Sequence, residues 1–331
     1  MDILLIFTLA VILGAEFVNG LTDAPNAITT VVSTRALTFR KAVFFAALLN
    51  FAGVMSGTAV AATIGKGIVD AKAVDLVTIS AAMISIVIWS SFAYFWRKRL
   101  GIPTSESHAL VAGLLGAGLA TAGPDALLWI GWKKVLIGLG FSTFMGLFGS
   151  YIFTKLVRKC SAPLPLYSTR SAFRKLQILS SGFMAFSHGS NDGQKFMGVF
   201  ALALVLGGMY ETFTIPIWVM VVMASIMALG TSIGGWRIIR TMGMRMTSLK
   251  PYQGFTAETA AASTITLASH FGIPLSTTHT INTSIMGASV AHRKSSLKMD
   301  VVRQIVLAWI LTFPICGILA FVITHIARLV F

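Results

Sequence analysis

Two short strings in the sequence combine residue types that together can hold an anion. Gly101-Ile-Pro-Thr-Ser-Glu-Ser-His108 returns 171 residues later as Gly272-Ile-Pro-Leu-Ser-Thr-Thr-His279. In each string, a proline followed by small hydroxyl residues is a signal for the start of a helix. A helix start leaves backbone N–H groups without partners and carries a partial positive charge, so it receives an anion well. Two such starts in corresponding halves of one chain predict one anion held between them.

The hydroxyl residues of these strings are the candidate ligands of that anion, namely Thr104, Ser105, Ser107, Ser276, Thr277 and Thr278. The same residue types also cap helices and allow helices to pack closely. Duplication of the whole string favours anion contact for the set, but it does not say which hydroxyl touches the anion.

Each string ends in a histidine, His108 or His279, and the first string also holds Glu106. An imidazole beside a helix start can hydrogen-bond a backbone carbonyl, or it can move a proton because its protonation changes near neutral pH. A carboxyl group within a membrane span is a proton site by default. These three residues are therefore candidates for handling a coupling ion or a proton.

A second pair of related strings places acids within apolar sequence. Phe17-Val-Asn-Gly-Leu-Thr-Asp-Ala-Pro-Asn-Ala27 aligns with Phe186-Ser-His-Gly-Ser-Asn-Asp-Gly-Gln-Lys-Phe196. An ionisable residue inside a membrane span usually marks an ion or proton site, although a polar knot that ties two helices together is the structural alternative. The candidates for coupling-ion or proton binding in these strings are Asp23, Asn26, Asn191 and Asp192.

Glycine and proline beside these acids predict a break in each helix, at Gly20 and Pro25 in the first and at Gly189 and Gly193 in the second. A break would free backbone carbonyls next to each aspartate. Lys195 follows Asp192 by three residues and shares its helix face. Its ammonium can pair with an aspartate in the place of a cation, or it can contact the anion directly, and charge alone does not separate these roles.

Composition places both pairs of strings in a membrane. Of the 331 residues, 56% are hydrophobic and 11% are charged. Apolar runs that reach the about 18–20 residues needed to cross a bilayer recur along the chain, at 43–64, 76–96, 135–157, 215–235 and 301–326. The formal net charge of +15 falls in short clusters between these runs, as in cytoplasmic loops, so we expect no nucleic-acid partner. We expect the first apolar segment, Ile3–Val18, to be a mature helix and not a signal peptide, because it lacks a basic leader.

The basic clusters predict which ends of the spans face the cytoplasm. They lie at Arg35–Lys41, Arg97–Arg99, Lys155–Lys175, Arg237–Lys250 and His292–Arg303. With these ends inside, the related strings of the two halves cross in opposite directions. This predicts an all-α polytopic membrane protein of two inverted-topology repeats, the architecture of many secondary transporters. The predicted repeats are 1–157 and 176–331, joined by a cytoplasmic basic linker, 158–175. Segments 101–121 and 252–291 are expected to form re-entrant hairpins between broken helices.

Taken together, the four strings resemble those of the inorganic phosphate transporter (PiT) family. The hallmark of that family is a Gly-x-Asn-Asp-x-x-Asn-Ala string in each half, and its Gly-x-Pro-x-Ser-x-x-His hairpins are similar to those found here. The likeness covers both halves of the chain apart from the loops. It implies a homodimeric, elevator-like or rocking transporter of the inner membrane that carries phosphate with a coupling cation and needs no cofactor.

Three residues depart from the family pattern. Thr22 and Lys195 each stand in the place of an asparagine, and Glu106 stands where a small residue is more usual. In sodium-coupled members the corresponding side chains resemble sodium ligands, which in this chain would be Asp23, Asn26 and Asp192. A lysine ammonium in the place of one cation favours coupling to protons over coupling to sodium, as in many bacterial relatives.

We therefore predict a secondary transporter, and no enzyme, that imports inorganic phosphate by cation symport through alternating access, with the proton as the expected cation. Lys195 joins the candidate hydroxyls as a phosphate ligand. The alternatives are sulfate or another tetrahedral oxyanion, sodium coupling, an ion channel and an intramembrane hydrolase. Phosphate keeps a proton that a buried carboxylate can accept, which favours it over sulfate. A hydrolase is disfavoured because a catalytic triad is one asymmetric set, whereas these residues come in duplicate.

Overall fold

The computed structural model describes residues 2–95, 101–292 and 296–330. Within those ranges the chain is built from helices without a β-strand. The first half holds α1 (Ile3–Ser33), α2 (Phe39–Val54), α3 (Ala59–Gly67), α4 (Leu76–Phe95), α5 (Glu106–Ala122), α6 (Trp129–Phe144) and α7 (Ser150–Ser161). The second half holds α8 (Leu166–His188), α9 (Gln194–Leu206), α10 (Ile217–Ile233), α11 (Trp236–Ile239), α12 (Pro251–His270), α13 (Thr277–His292) and α14 (Met299–Val330). Short π-helical turns join α6 to α7 and α8 to α9, and a third follows α11.

The helices are long and apolar enough for a multi-pass membrane protein. In the described part of the chain, 5 helices could cross a bilayer, or up to 7 spans if each bent helix pair counts as one. The order of elements repeats between the halves, so that α1 corresponds to α8–α9, the α2–α3 pair to α10–α11, and α4–α5 to α12–α13. Only residues 162–165 of the predicted linker lie outside helix, because α7 and α8 extend into it.

The corresponding first helices of the two halves run in opposite directions. At one end of α1, Leu5 packs against Gly207, which follows α9. At its other end, the Thr34 hydroxyl donates to Gln177 Oε1 at 2.8 Å and Arg174 donates to the Arg35 carbonyl at 3.0 Å. The second end gathers basic residues, so it is the cytoplasmic end by the distribution of positive charge. This antiparallel arrangement is that of an inverted repeat. The predicted basic cluster Arg97–Arg99 lies outside the described residues.

The predicted span 43–64 is bent by 66° between α2 and α3. The bend contains the pair Ser56-Gly57. The Ser56 hydroxyl donates to the Gly53 carbonyl at 2.6 Å and so competes with the helical hydrogen bonds. The corresponding bend between α10 and α11 measures 58° and contains Gly234 and Gly235, both with positive φ.

The predicted breaks beside the aspartates are wrong. Helix α1 runs without interruption through Gly20 and Pro25. A Cβ atom on Gly20 would lie 2.4 Å from the Met227 carbonyl oxygen, so this glycine serves the close approach of α1 and α10. In the second half, the turn Gly189–Gly193 widens into a π-helical turn and does not break. The aspartates therefore lie on intact helices, and their neighbours are side chains.

We expect Gly20→Ala to destabilise the protein, because the added methyl group meets backbone and not a flexible side chain. The free energy of unfolding should fall by about 1–3 kcal/mol, the usual effect of overpacking. Gly14→Ala is the matched control on the same helix, since a Cβ atom there meets nothing within 4 Å. Thermal unfolding of the detergent-solubilised protein measures both, and equal melting temperatures for the two variants would contradict the packing role of Gly20.

Candidate transport site

The two predicted helix starts meet in the buried interior. Ser105 precedes α5 and Ser276 precedes α13, and their hydroxyl oxygens lie 2.8 Å apart. Both serines are buried, with exposed fractions of 1% and 0%. The tips of the two hairpins, one from each half of the chain, are therefore in direct contact.

Each tip serine also caps the helix that follows it. The Ser105 hydroxyl accepts from the His108 N–H at 3.2 Å, and the Ser276 hydroxyl accepts from the His279 N–H at 3.1 Å. The first intrahelical bonds run from Ala109 N and Thr280 N, both at 3.0 Å. The positive ends of the two helices therefore lie next to each other at the tip serines, and such a place favours an anion.

The Asp23 carboxylate lies beside the second tip. Thr278 donates its hydroxyl to the two Asp23 oxygens at 3.3 and 3.2 Å, and the Asn26 side chain donates to Thr278 Oγ1 at 3.0 Å. All three side chains are no more than 2% exposed. Helix α1 of the first half is thus joined to the hairpin of the second half.

The Asp192 carboxylate is held from three directions. Thr277 donates to one of its oxygens at 2.5 Å, and the Lys195 ammonium, which is itself buried, donates to the other. His188 Nε2 lies 3.3 Å from the oxygen that Thr277 contacts. Lys195 also donates to Ser107 Oγ and to the Leu275 carbonyl, each at 2.6 Å.

The contacts of Lys195 and Asn26 are related by the internal repeat. The two residues occupy corresponding positions, as do Ser107 and Thr278. Asn26 of the first half contacts Thr278 of the second, while Lys195 of the second half contacts Ser107 of the first. Lysine therefore makes, with an added positive charge, the crossed contact that an asparagine makes on the other side.

Asn191, the remaining predicted site residue of the second string, contacts the second hairpin just before its tip serine. Its side-chain oxygen accepts from the Leu275 N–H at 3.3 Å, and its side-chain nitrogen donates to Ser269 Oγ at 2.8 Å. These contacts fix the shape of the second hairpin. Asn191 thus lies one contact away from the tip serine.

Two residues that depart from the family pattern are each other's partners. Glu106 accepts from the Thr22 hydroxyl at 2.9 Å on one oxygen and from the Ser90 hydroxyl at 2.8 Å on the other. All of these atoms are buried. The Glu106 carboxyl group therefore faces α1 and α4, and both of its oxygens accept hydroxyl donors.

The two predicted histidines pack together. The rings of His108 and His279 lie edge to face with centroids 4.4 Å apart, and His279 lies over Trp309 at 3.9 Å. His279 Nδ1 is 3.4 Å from the Thr143 hydroxyl. His108 Nδ1 and His279 Nε2 are buried and have no hydrogen-bond partner in the described residues. The predicted contact with a backbone carbonyl is therefore not found for either ring in this part of the chain.

Thr104 lies apart from the other hydroxyls. It lines a mostly apolar cavity of about 330 Å³ together with Gly101, Thr241 and Arg245. The structure therefore brings together five of the six candidate hydroxyl residues, with Lys195 and both aspartates, and leaves Thr104 on another face of the first tip.

Two further neighbours complete this cluster, of which sequence reasoning offered His188 as a proton-shuttle candidate and missed Asn50. His188 approaches Asp192, and its other ring nitrogen lies 3.1 Å from Asn50 Oδ1. Asn50 in turn donates to Thr231 Oγ1 at 3.0 Å. A polar Asn50 within an apolar run was the available signal, but its partner lies 138 residues away in sequence.

The charged groups of the cluster nearly balance, and a proton on His188 or a bound cation would complete the balance. Counting Asp23 and Asp192 as carboxylates and Lys195 as an ammonium leaves one negative charge. One ligand atom from each of Asp23, His188 and Asp192 lies within 4.8 Å of the other two. The site thus places a region that favours an anion beside a region that favours a cation or a proton.

The fold and the site define a polytopic α-helical membrane protein with two hairpin tips that meet beside a buried ionic cluster. The phosphate transporter family model matches residues 19–320. The chain belongs to this family, as the four strings predicted. Membership supports a transporter and contradicts the hydrolase alternative.

Similar proteins agree with this assignment over nearly their full length. A probable low-affinity inorganic phosphate transporter of Rhizobium meliloti is 40% identical, over 96% of this chain and 94% of its own. A protein of the same description from Bacillus subtilis is 36% identical, over 100% of each chain. A solved structure described as the sodium-dependent phosphate transporter has a TM-score of 0.87 at 24% identity and covers 100% of both chains. The fold is therefore shared with that structure, and an inner-membrane location agrees with the bacterial relatives.

Proposed function

We propose that this protein imports inorganic phosphate by symport with a cation, and that the cation is a proton. The observation that carries the proposal is the meeting of two helix starts at Ser105 and Ser276, directly beside the buried pair of Asp192 and Lys195. Anion-binding helix ends next to an ion site at the interface of two inverted repeats are the arrangement of a secondary transporter that works by alternating access.

Phosphate would bind by replacing the contact between the tips. The hydroxyls of Ser105 and Ser276 would each turn from their partner to a phosphate oxygen, joined by N–H groups of the two helix starts. Ser107, Thr277 and Thr278 surround the same point. Lys195 donates to Ser107, so its ammonium is one side chain away from the bound anion.

The coupling cation would be a proton because Lys195 already supplies a permanent positive charge. Its ammonium donates to one oxygen of Asp192 and Thr277 donates to the other, so neither oxygen is without a partner. A sodium ion prefers a shell of several oxygen ligands. Sodium coupling is the second candidate, since the solved protein of the same fold is described as sodium-dependent.

Sulfate is the alternative substrate. The hydroxyl and N–H donors at the tips fit any tetrahedral oxyanion, whereas Asp23 and Asp192 are acceptors that can receive the proton of a phosphate. We also propose that the chain comprises two repeats, 1–157 and 176–331, joined by the linker 158–175. That the transporter is a homodimer rests on the family resemblance.

The test is uptake of radiolabelled phosphate into proteoliposomes that contain the purified protein. An imposed pH gradient, inside alkaline, should drive accumulation, and an imposed sodium gradient at equal pH should not. Excess unlabelled sulfate should leave uptake unchanged. Accumulation driven by sodium alone would contradict the role given to Lys195, and strong inhibition by sulfate would move the substrate to the alternative oxyanion.

A further inference from the structure

A buried acid outside the site just described lies on the same face of α1 as Asp23. Glu16 precedes Asp23 by seven residues, which is two helical turns or about 10 Å along the axis. Its side chain is 0% exposed. Because the basic ends of the helices mark the cytoplasmic side, Glu16 lies on the outer side of Asp23.

The Glu16 carboxyl group accepts fewer hydrogen bonds than any acid in the transport site. One of its oxygens accepts from the Asn19 side chain at 3.0 Å. Its other oxygen, Oε1, and the Asn19 Oδ1 atom are buried without a hydrogen-bond partner in the described residues. Its neighbours Ile12 and Ala15 belong to the apolar core that α1 forms with α4, α5 and α9. A bare carboxylate in such surroundings is costly.

The charged and titratable groups that act on Glu16 come from the transport site. They are Asp192, Lys195 and Glu106, on the π-helical turn, α9 and α5 respectively. Of the other helices that pack on α1, α4 and α10 carry no Asp, Glu, Lys, Arg or His. Helices α2 and α8 carry their Arg and Lys residues toward the cytoplasmic end of α1, where Glu258 of α12 also contacts Thr30, and His188 of α8 lies beside Asp192. Glu16 is therefore linked electrostatically to the transport site.

A proton fits this location better than a metal ion. Sodium or another hard cation takes a shell of several oxygens, and the location offers two acceptor atoms without partners. A proton needs one acceptor, and its arrival turns Glu16 Oε1 into a donor and removes the buried charge. A buried oxygen without a partner, such as Glu16 Oε1, is expected of a carboxyl group whose function is to bind a proton.

We propose that Glu16 is the residue that takes up the transported proton from the outer side. The proton adds to Glu16 Oε1 while the site is open outward, and it leaves to water when the site opens to the cytoplasm. The bound proton neutralises Glu16, so the apolar core around this residue holds no buried charge while the loaded protein changes conformation. This proposal rests on proton coupling in the proposed function.

The test compares net transport with exchange in the Glu16→Gln variant, which keeps the size of the side chain. Exchange of external labelled phosphate for internal phosphate needs no release of the proton, and net uptake does. Uptake driven by a pH gradient should fall by about 100-fold, the lower range of what a positioned proton-transfer group contributes. Exchange should stay near the wild-type rate. Glu16→Asp should restore part of the net uptake.

Two further measurements complete the test. A pH-sensitive dye trapped in the vesicles should report proton entry with phosphate in wild type and none in Glu16→Gln. Glu211→Gln, an acid on an exposed loop, is the matched control and should leave uptake and exchange unchanged.

Each other outcome has a defined meaning. Unchanged net uptake in Glu16→Gln would overturn the proposal, and so would an equal loss of uptake and exchange, because that marks a structural role. Sodium-driven uptake without proton entry in wild type would overturn it while leaving phosphate as the substrate. A wild-type protein that neither takes up nor exchanges phosphate would contradict the proposed function itself.

Discussion

Replacing Lys195 with asparagine should change the driving ion of phosphate uptake from the proton to sodium. The corresponding residue of the first half is already an asparagine, Asn26, and it makes the equivalent crossed contact. The substitution removes the ammonium from Asp192 and supplies an amide oxygen, which is a sodium ligand. Without sodium, uptake should fall by about 100-fold or more, because a buried charge left without its partner costs about 3–5 kcal/mol.

The measurement is the rate of phosphate uptake as a function of sodium concentration at fixed pH. Lys195→Met is the informative comparison, since it removes the charge but adds no oxygen ligand, and sodium should not restore it. Lys159→Asn changes an exposed lysine on α7 and should behave as wild type. If Lys195→Asn keeps proton-driven uptake at the wild-type rate, the lysine does not stand in for a cation.

Removing the hydroxyl of either tip serine should weaken phosphate binding by about 10–100-fold, as expected for a hydrogen bond to a charged group worth about 1.5–3 kcal/mol. Ser105 and Ser276 contact each other and would share the anion, so their effects should not add in the double variant. The concentration dependence of phosphate exchange measures the affinity.

The choice of substituent separates anion contact from helix capping, the two interpretations of these hydroxyls. Alanine at a helix N-cap costs about 0.5–2 kcal/mol, whereas glycine costs a few tenths. If the hydroxyl contacts phosphate, Ser276→Gly and Ser276→Ala should lose affinity equally. If capping is its whole role, the glycine variant should be nearly normal. Thr154→Val, in the buried Thr154–Thr256 hydroxyl pair between α7 and α12, is the control and should leave affinity unchanged.

Duplication was the reason that so much of the fold could be predicted from the sequence. The repeated hairpin strings predicted two helix starts in corresponding places, and the tips of the structure meet at Ser105 and Ser276. The reversal of the halves followed from the basic clusters, and the end-to-end contacts of α1 with the α8–α9 segment agree with it. Local signals sufficed here because each was present twice.

The sequence could not predict contacts between residues that share no pattern. Thr22 and Glu106 were each visible as a departure from the family pattern, but nothing in their spacing of 84 residues predicted that they bond to each other. Pro25 predicted a break, but α1 continues through it among buried neighbours. The role of Gly20 as a contact with α10 likewise depends on a helix more than 190 residues further along the chain.

The crossed contacts of Asn26 and Lys195 bear on the resting balance of the transporter. In an inverted-repeat protein the outward-open and inward-open conformations arise when the two halves exchange their internal arrangements. Identical halves would give both conformations the same free energy and equal populations. Here one crossed contact is an amide on a hydroxyl and the other an ammonium bound to a carboxylate. The two conformations therefore differ in energy, and the unloaded protein should rest with its entrance mainly on one side of the membrane.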